Sequence, residues 1–447
     1  MPTQRTASKV SAARTAAARR PAPAGMECGC PGFETSRRRF MQGAFALAGA
    51  GVLTSVKGGA FIQVARAQTP EAPTEKAQNV LVLLSLRGGA DGLSLVVPWG
   101  DEDYETARDG IVIPSNELLV PDELFGLHPN FKPLKPMWEA GEMAAVHAVG
   151  LPAPNRSHFA AMEEIEDADP GSDIRRGWLN RLIGLDELQS PLEAVQMGSP
   201  LVPVSLYGKE PVLAVSDLDD MELSGPDDPD ALARRKKSLD LMWGPVDTVL
   251  GQGARSAREV SETLADVPET EDPPTGDDAY PSGDLGDALA ETARLIRADV
   301  GTRAVAVDYG SWDMHAGLGD LSGGNMLTSI DELAQALKAF YADLGDDATR
   351  VTVVTITEFG RRVSPNASNG LDHGYASAML LLGAGVKGGK YYGNWPGLAS
   401  GKLIDGDLAV TRDFRSVLAE VVQSRFDADV SKVFPDFTPE EIGVMKL

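Results

Sequence analysis

The chain has almost no cysteine. Its two cysteines, Cys28 and Cys30, lie near the amino terminus, so residues 68–447 offer neither a disulfide nor a thiolate metal site. Histidine is scarce as well, with five in 447 residues, at positions 128, 147, 158, 315 and 373. Any metal held beyond residue 67 must therefore use imidazole, carboxylate or hydroxyl donors. Basic residues are outnumbered: residues 68–447 carry 31 Lys and Arg against 63 Asp and Glu, a formal charge of −32. That sign repels nucleic acid and anionic membranes, and excludes both as expected partners. An anionic small molecule would need a local positive centre to approach. After residue 67 no apolar run approaches ~20 residues, so no membrane span is expected there.

What is present starts with an export signal. Ser36-Arg37-Arg38-Arg39-Phe40-Met41 sets an arginine pair ahead of an aromatic and an apolar residue. The uncharged stretch 43–56 follows, too short and glycine-rich to span a bilayer stably, and Ala65-Arg66-Ala67 offers the small residues of a cleavage site. These features predict a twin-arginine leader over 1–67 with an extended basic n-region, and a mature start at Gln68. The expected route is the twin-arginine translocase, which carries folded cargo, and the destination is periplasmic or secreted.

Residues 68–447 read as a single α/β domain. The apolar runs 79–86, 143–149, 200–207, 303–309, 350–357 and 377–382 predict strands, and 134–139, 157–166, 285–299 and 330–344 predict helices. Helix and buried strand alternate twice in succession, which argues for a mainly parallel central sheet flanked by helices. Residues 216–283, acidic and rich in Pro, Gly, Asp and Ser, predict a helical insertion or cap, with helices near 229–243 and 246–264.

In such sheets, sites form beyond the carboxyl ends of the strands. One strand leads to Arg87-Gly88-Gly89-Ala90-Asp91-Gly92, another to Trp312-Asp313-Met314-His315, and a third to Glu358-Phe359-Gly360-Arg361. Asp372-His373 precedes the last strand. Asp313 and His315, two apart in extended chain, project to one side and can share an ion. Each cluster also has a plain structural reading: a turn aspartate, an Asp–His pair, a Glu358–arginine pair, a core histidine. Their coincidence at one sheet edge is what points to a metal site. Ser157 stands at a helix start, where it is either a cap or a nucleophile facing the positive end of the helix dipole. His158 can ligate, orient the serine or do neither, while His128 and His147 read as structural.

The Arg87–Gly92 turn, Leu127-His128-Pro129, Arg156-Ser157-His158-Phe159, Trp312-Asp313-x-His315, Thr357-Glu358-Phe359-Gly360-Arg361 and Asp372-His373-Gly374 occur in that order. Together they resemble the exported proteins called domain of unknown function 1501, over essentially all of 68–447. That family is distantly similar to the alkaline phosphatase and sulfatase superfamily. The resemblance implies an alkaline-phosphatase-like fold and a metal-dependent hydrolase of phosphate or related (sulfate) esters. By motif it assigns Asp91, Asp313, His315, Glu358 and His373 to metal ions and Ser157 to nucleophilic attack. Asp372 joins them as a candidate ligand, and a metal-bound hydroxide is the other candidate attacker. Arg361, with Arg156 as second choice, is the candidate to steady the charge developing on the ester. Zinc, manganese, magnesium and calcium all stay open, because Glu358-Phe359 replaces the superfamily's usual Asp-His. A formylglycine sulfatase is excluded, since no Cys/Ser-x-Pro-x-Arg motif occurs. An exported binding or scaffold protein that kept the fold without turnover is the alternative.

Overall fold

The computed structural model describes residues 60–63, 77–172, 174–186, 190–222, 228–265, 267–268 and 273–446. The arginine pair, the 43–56 stretch and Ala65-Arg66-Ala67 lie outside them. A ten-stranded sheet is built from β1 (Ala60–Gln63), β2 (Val80–Leu86), β3 (Met143–Gly150), β4 (Ala194–Met197), β5 (Val212–Val215), β6 (Ala304–Tyr309), β7 (Val351–Ile356), β8 (Ser377–Gly383), β9 (Tyr391–Tyr392) and β10 (Arg412–Asp413). The order is β1-β5-β4-β6-β2-β7-β8-β3-β9, with β10 also on β3. Strands β5, β4, β6, β2 and β7 are mutually parallel, and β8 runs antiparallel to both β7 and β3.

The central strand β2 shows why the sheet is buried on both faces. Val80, Val82 and Leu84 enter one core with Leu285, Leu289, Ile330 and Leu333, which lie on α5 (Asp284–Arg297) and α6 (Asn325–Leu344) once α1 (His158–Asp167), α2 (Trp178–Ile183), α3 (Pro229–Trp243) and α4 (Val249–Ala265) are counted. Leu81 and Leu83 enter the opposite core with Ala161 and Ile165 of α1 and Val417, Leu418 and Val421 of α7 (Phe414–Phe426). Alternate residues thus serve opposite helical layers, which is why the run lacks polar alternation. Each fully buried Val or Leu contributes about 1.5–3 kcal/mol relative to exposure.

Two expectations change. Residues 200–207 form no strand: Pro203 precedes a short 3-10 turn at Val204–Leu206, and the strands of this region are β4 and β5, on either side of it. The strand at Ser377–Gly383 is in place but antiparallel to its neighbours. The insertion helices match their expected spans. Through Ala257, Val260 and Leu264, α4 joins the core that also holds Leu213, Val215 and Ile62, whereas α3 has no buried residue. β1 pairs antiparallel with β5, Ala60 to Val215 through Gln63 to Val212. A cut after Ala67 would remove β1 and leave Val212–Val215 as the sheet's open edge. Among the described residues no helix is long and apolar enough to cross a membrane.

Candidate metal centre

Five chain segments reach one edge of the sheet. β6, β2 and β7 are parallel neighbours, so their carboxyl ends deliver Gly310–His315, Arg87–Asp91 and Thr357–Arg361 side by side. The antiparallel β8 begins at this edge, preceded by Asp372-His373, and Ser377 pairs with Val149 at the end of β3, which leads to Asn155–His158. The segments fit because glycine lets them approach. Gly88 has φ +116°, and a Cβ there would stand 2.5 Å from the Asp313 nitrogen.

His158, Asp313 and His373 bring ligand atoms within 4.8 Å of one another. Nε2 of His158 is 2.9 Å from Nε2 of His373, and Asp313 Oδ1 lies 3.5 Å and 3.4 Å from these two nitrogens. A tetrahedral ion with bonds of about 2.0–2.1 Å would hold its ligands about 3.3–3.4 Å apart, which matches the two Asp313 edges and would require the two imidazoles to part slightly. His315 adjoins the group, its Nε2 2.9 Å from His373 Nε2 and 3.0 Å from Asp313 Oδ1.

The far side of each ring decides which nitrogen is free. His158 Nδ1 is 2.7 Å from Glu358 Oε1, His315 Nδ1 is 2.9 Å from Asp372 Oδ1, and His373 Nδ1 is 2.9 Å from the Arg156 carbonyl oxygen. An oxygen acceptor at each Nδ1 calls for the proton there, which leaves Nε2 as a lone pair aimed inward. Three inward lone pairs beside a carboxylate repel unless a cation or proton lies among them. Outer-shell acceptors of this kind fix the tautomer and raise the basicity of metal-binding imidazoles. Burial opposes protonation of His158, but hydrogen bonds and charge from Asp313 and Glu358 outweigh it and hold the imidazole up at about 9. Burial also opposes ionisation of Asp313, yet hydrogen bonds from His158, His373 and Arg361 hold its carboxyl far below the usual range. Glu358 is likewise held low, its burial outweighed by His158 and the backbone. The Asn366 and His315 hydrogen bonds lower Asp372. The donor set, imidazole nitrogen plus carboxylate, fits a borderline ion such as zinc better than magnesium or calcium.

The other anticipated residues take different places. Glu358 and Asp372 sit behind histidines, orienting them. Asp91, with its side chain 1% exposed, is not a member of the cluster: it forms an ion pair with Arg108 and accepts from Ser94 Oγ at 2.6 Å. Its position at a strand end suited a metal ligand, but a buried guanidinium already neutralises it. Asp91→Asn should therefore leave metal affinity within about threefold while costing about 3–5 kcal/mol of stability, since Arg108 loses its counter-charge in the interior; chemical unfolding beside a metal titration checks both. Arg361, also buried, is spent on the protein. Its Nε donates to Gly89 O at 2.6 Å and Nη1 to Leu371 O at 2.9 Å, while Nη2 serves Asp313 Oδ1 at 2.7 Å and the carbonyls of Trp312 and Gly88. It positions Asp313. Ser157 occupies the cap position of α1 but makes no capping bond with its side chain, and it is exposed. His158 is the member of the cluster that the strand-end reasoning did not select. Its signal was the Arg156-Ser157-His158-Phe159 motif, which reads equally well as a helix start.

His128 and His147 are buried away from the cluster. His128 Nδ1 accepts from the Asn130 nitrogen, and His147 has Val96 O at 2.9 Å. Burial lowers both from their ordinary value to about 4. Folded His128 and His147 thus stay neutral while the unfolded chain takes up protons, so stability is lost as pH falls from about 6.5 to about 4, by up to about 3 kcal/mol per histidine. Imidazole NMR titration should show both rings neutral at pH 5; protonation of either at pH 6 would contradict this.

The profile of the family described as "Protein of unknown function (DUF1501)" matches residues 135–414, a span that contains every member of the cluster. No curated protein matches the chain by sequence. Among solved structures, the zinc complex of the C-terminal periplasmic domain of EcEptC from Escherichia coli aligns at 6% identity and TM-score 0.32, covering 71% of this chain and 77% of that one. The alkaline phosphatase of the Antarctic bacterium TAB5 aligns at 8% identity and TM-score 0.28, covering 70% and 93%. Likeness at that level says nothing about chemistry. The family match, spanning well over half of the sequence, settles membership: the chain belongs to the DUF1501 family.

Proposed function

We propose that this protein is an exported, metal-dependent hydrolase of phosphate or related (sulfate) esters, delivered by the twin-arginine translocase to the periplasm or beyond. The observation that carries the reading is the convergence of three imidazole Nε2 atoms on Asp313, each ring fixed from behind by an oxygen acceptor. His158, Asp313 and His373 would hold the ion, with His315 as the further donor. A divalent ion bound there supplies Lewis-acid polarisation of an ester oxygen and lowers the pKa of water. Glu358, Asp372 and the Arg156 carbonyl keep the three rings in register. Ser157, next to His158 and at the positive end of α1, has a hydroxyl that no capping bond consumes. In this reading its oxygen bonds the phosphorus or sulfur, the alcohol departs and water later releases the acid.

One observation favours the alternative, an exported protein that binds without turnover. Only one ligand group forms among the described residues, and Asp91 is committed to Arg108, so a second ion has no evident cage. Hydrolysis of p-nitrophenyl phosphate and p-nitrophenyl sulfate by the zinc-loaded protein separates the two readings. Turnover that a chelator abolishes and zinc restores supports the hydrolase. A fully zinc-loaded protein inert towards both esters supports the binding protein.

A further inference from the structure

Three guanidinium groups border the metal centre, and they differ in how much of each is used. Arg361 has every nitrogen engaged by the protein. Arg156 is held by Asp407, a carboxylate with no exposed surface, through Nε at 3.1 Å and through Nη2. Arg362 is the least engaged of the three, with no hydrogen bond to any carboxylate. Its Nη1 donates to Asp405 O at 3.0 Å, its Nε stands 4.0 Å from Asp407 Oδ1, and its side chain is 40% exposed. Asp407 is thus bonded to Arg156, and the other acidic groups around Arg362, Asp372 and Asp405, make no hydrogen bond to its guanidinium through their carboxylates. Asp407 Oδ1 has no hydrogen-bond partner, so its hold on the Arg362 guanidinium is a long ion pair without a hydrogen bond.

The backbone places Arg362 beside the cluster. The Arg362 nitrogen donates to Asp372 O at 2.9 Å, and Arg361 bridges to His373. The Arg156 carbonyl accepts from His373 Nδ1, which brings the Asp407 pair to the same side. With 65 acidic residues against 41 basic ones, the protein as a whole repels anions. A guanidinium with unspent donors beside the cluster is the local positive centre that an anionic substrate requires, and its planar fork suits the oxygens of a phosphate or sulfate.

We propose that Arg362, and not Arg361, is the residue that receives the anionic oxygens of the substrate, which makes it the determinant of selectivity for charged over neutral esters. The assignment rests on the hydrolase reading for the word substrate, but its test does not need turnover. Binding of inorganic phosphate is measured calorimetrically on metal-free and zinc-loaded protein, for wild type, Arg362→Gln and Arg362→Lys. Arg362→Gln is expected to bind phosphate about tenfold more weakly in both states, and Arg362→Lys to recover about half of that loss on a logarithmic scale. Folding of the variants is checked by thermal unfolding. Phosphate bound equally tightly by wild type and Arg362→Gln, or not bound by wild type in either state, would overturn the assignment. Weakened phosphate binding in a protein that hydrolyses neither ester would remove the hydrolase and leave Arg362 as the anion receiver of a binding protein.

Discussion

Asp313→Asn should lower zinc affinity by at least about a hundredfold, more than the loss usual for an outer-shell partner. Its Oδ1 faces three imidazoles within 3.5 Å and the Arg361 guanidinium at 2.7 Å. It is the only charge in the inner group that can offset a divalent ion, because Glu358 and Asp372 sit behind their histidines. The asparagine keeps the shape and removes the charge, leaving Arg361 and the metal to repel each other. The metal-free fold should survive, since Arg361 keeps its bonds to four backbone carbonyls; a loss of about 1–3 kcal/mol is expected for the missing charged hydrogen bond. Competition titration against a zinc indicator, beside thermal unfolding of the apoprotein, reads both quantities. Wild-type affinity in the variant would mean that Asp313 only anchors Arg361.

Ser157→Ala should lower ester turnover by at least about a thousandfold, with zinc content and stability unchanged. The three readouts separate the roles open to a serine at a helix start. A capping serine costs about 1 kcal/mol when truncated and leaves turnover alone; here the hydroxyl makes no capping bond, so no such cost is expected. A ligand would lose zinc. A nucleophile loses turnover only. Residual turnover within tenfold of wild type would transfer the attack from Ser157 to a water molecule activated at the same centre.

Much of the fold could be read from the chain because the buried strands carry long, uninterrupted apolar runs. Val80–Leu86 and Val351–Ile356 have apolar or small residues at nearly every position, since helices cover both faces of the sheet. β4 and β5 were illegible for the opposite reason. Four residues each, they are set among Pro and Gly, and a neighbouring stretch with Pro203 looked equally apolar. Strand direction was also hidden, because a buried antiparallel strand such as β8 has the same composition as a parallel one.

The site was legible as a neighbourhood and not as a set of contacts. Motifs at strand ends mark which loops share an edge, and Asp313, His315, Glu358, Asp372 and His373 do meet there. Which carboxylates face the centre and which stand behind a histidine depends on side-chain reach that spacing does not encode. Glu358, one methylene longer than aspartate, passes the inner group and holds His158 from behind. Asp91 looked like a strand-end ligand because its partner Arg108 lies seventeen residues onward in a stretch with no motif of its own. Arg361 looked free for substrate because backbone carbonyls, which no sequence pattern marks, consume it.

The most direct test of the metal centre is elemental analysis of the purified, folded protein beside His158→Ala/His373→Ala. The account predicts close to one divalent ion, zinc in preference to magnesium or calcium, in the wild type and none in the double variant. A wild type that stays metal-free after incubation with zinc and manganese, or a double variant that keeps a full equivalent, would contradict it.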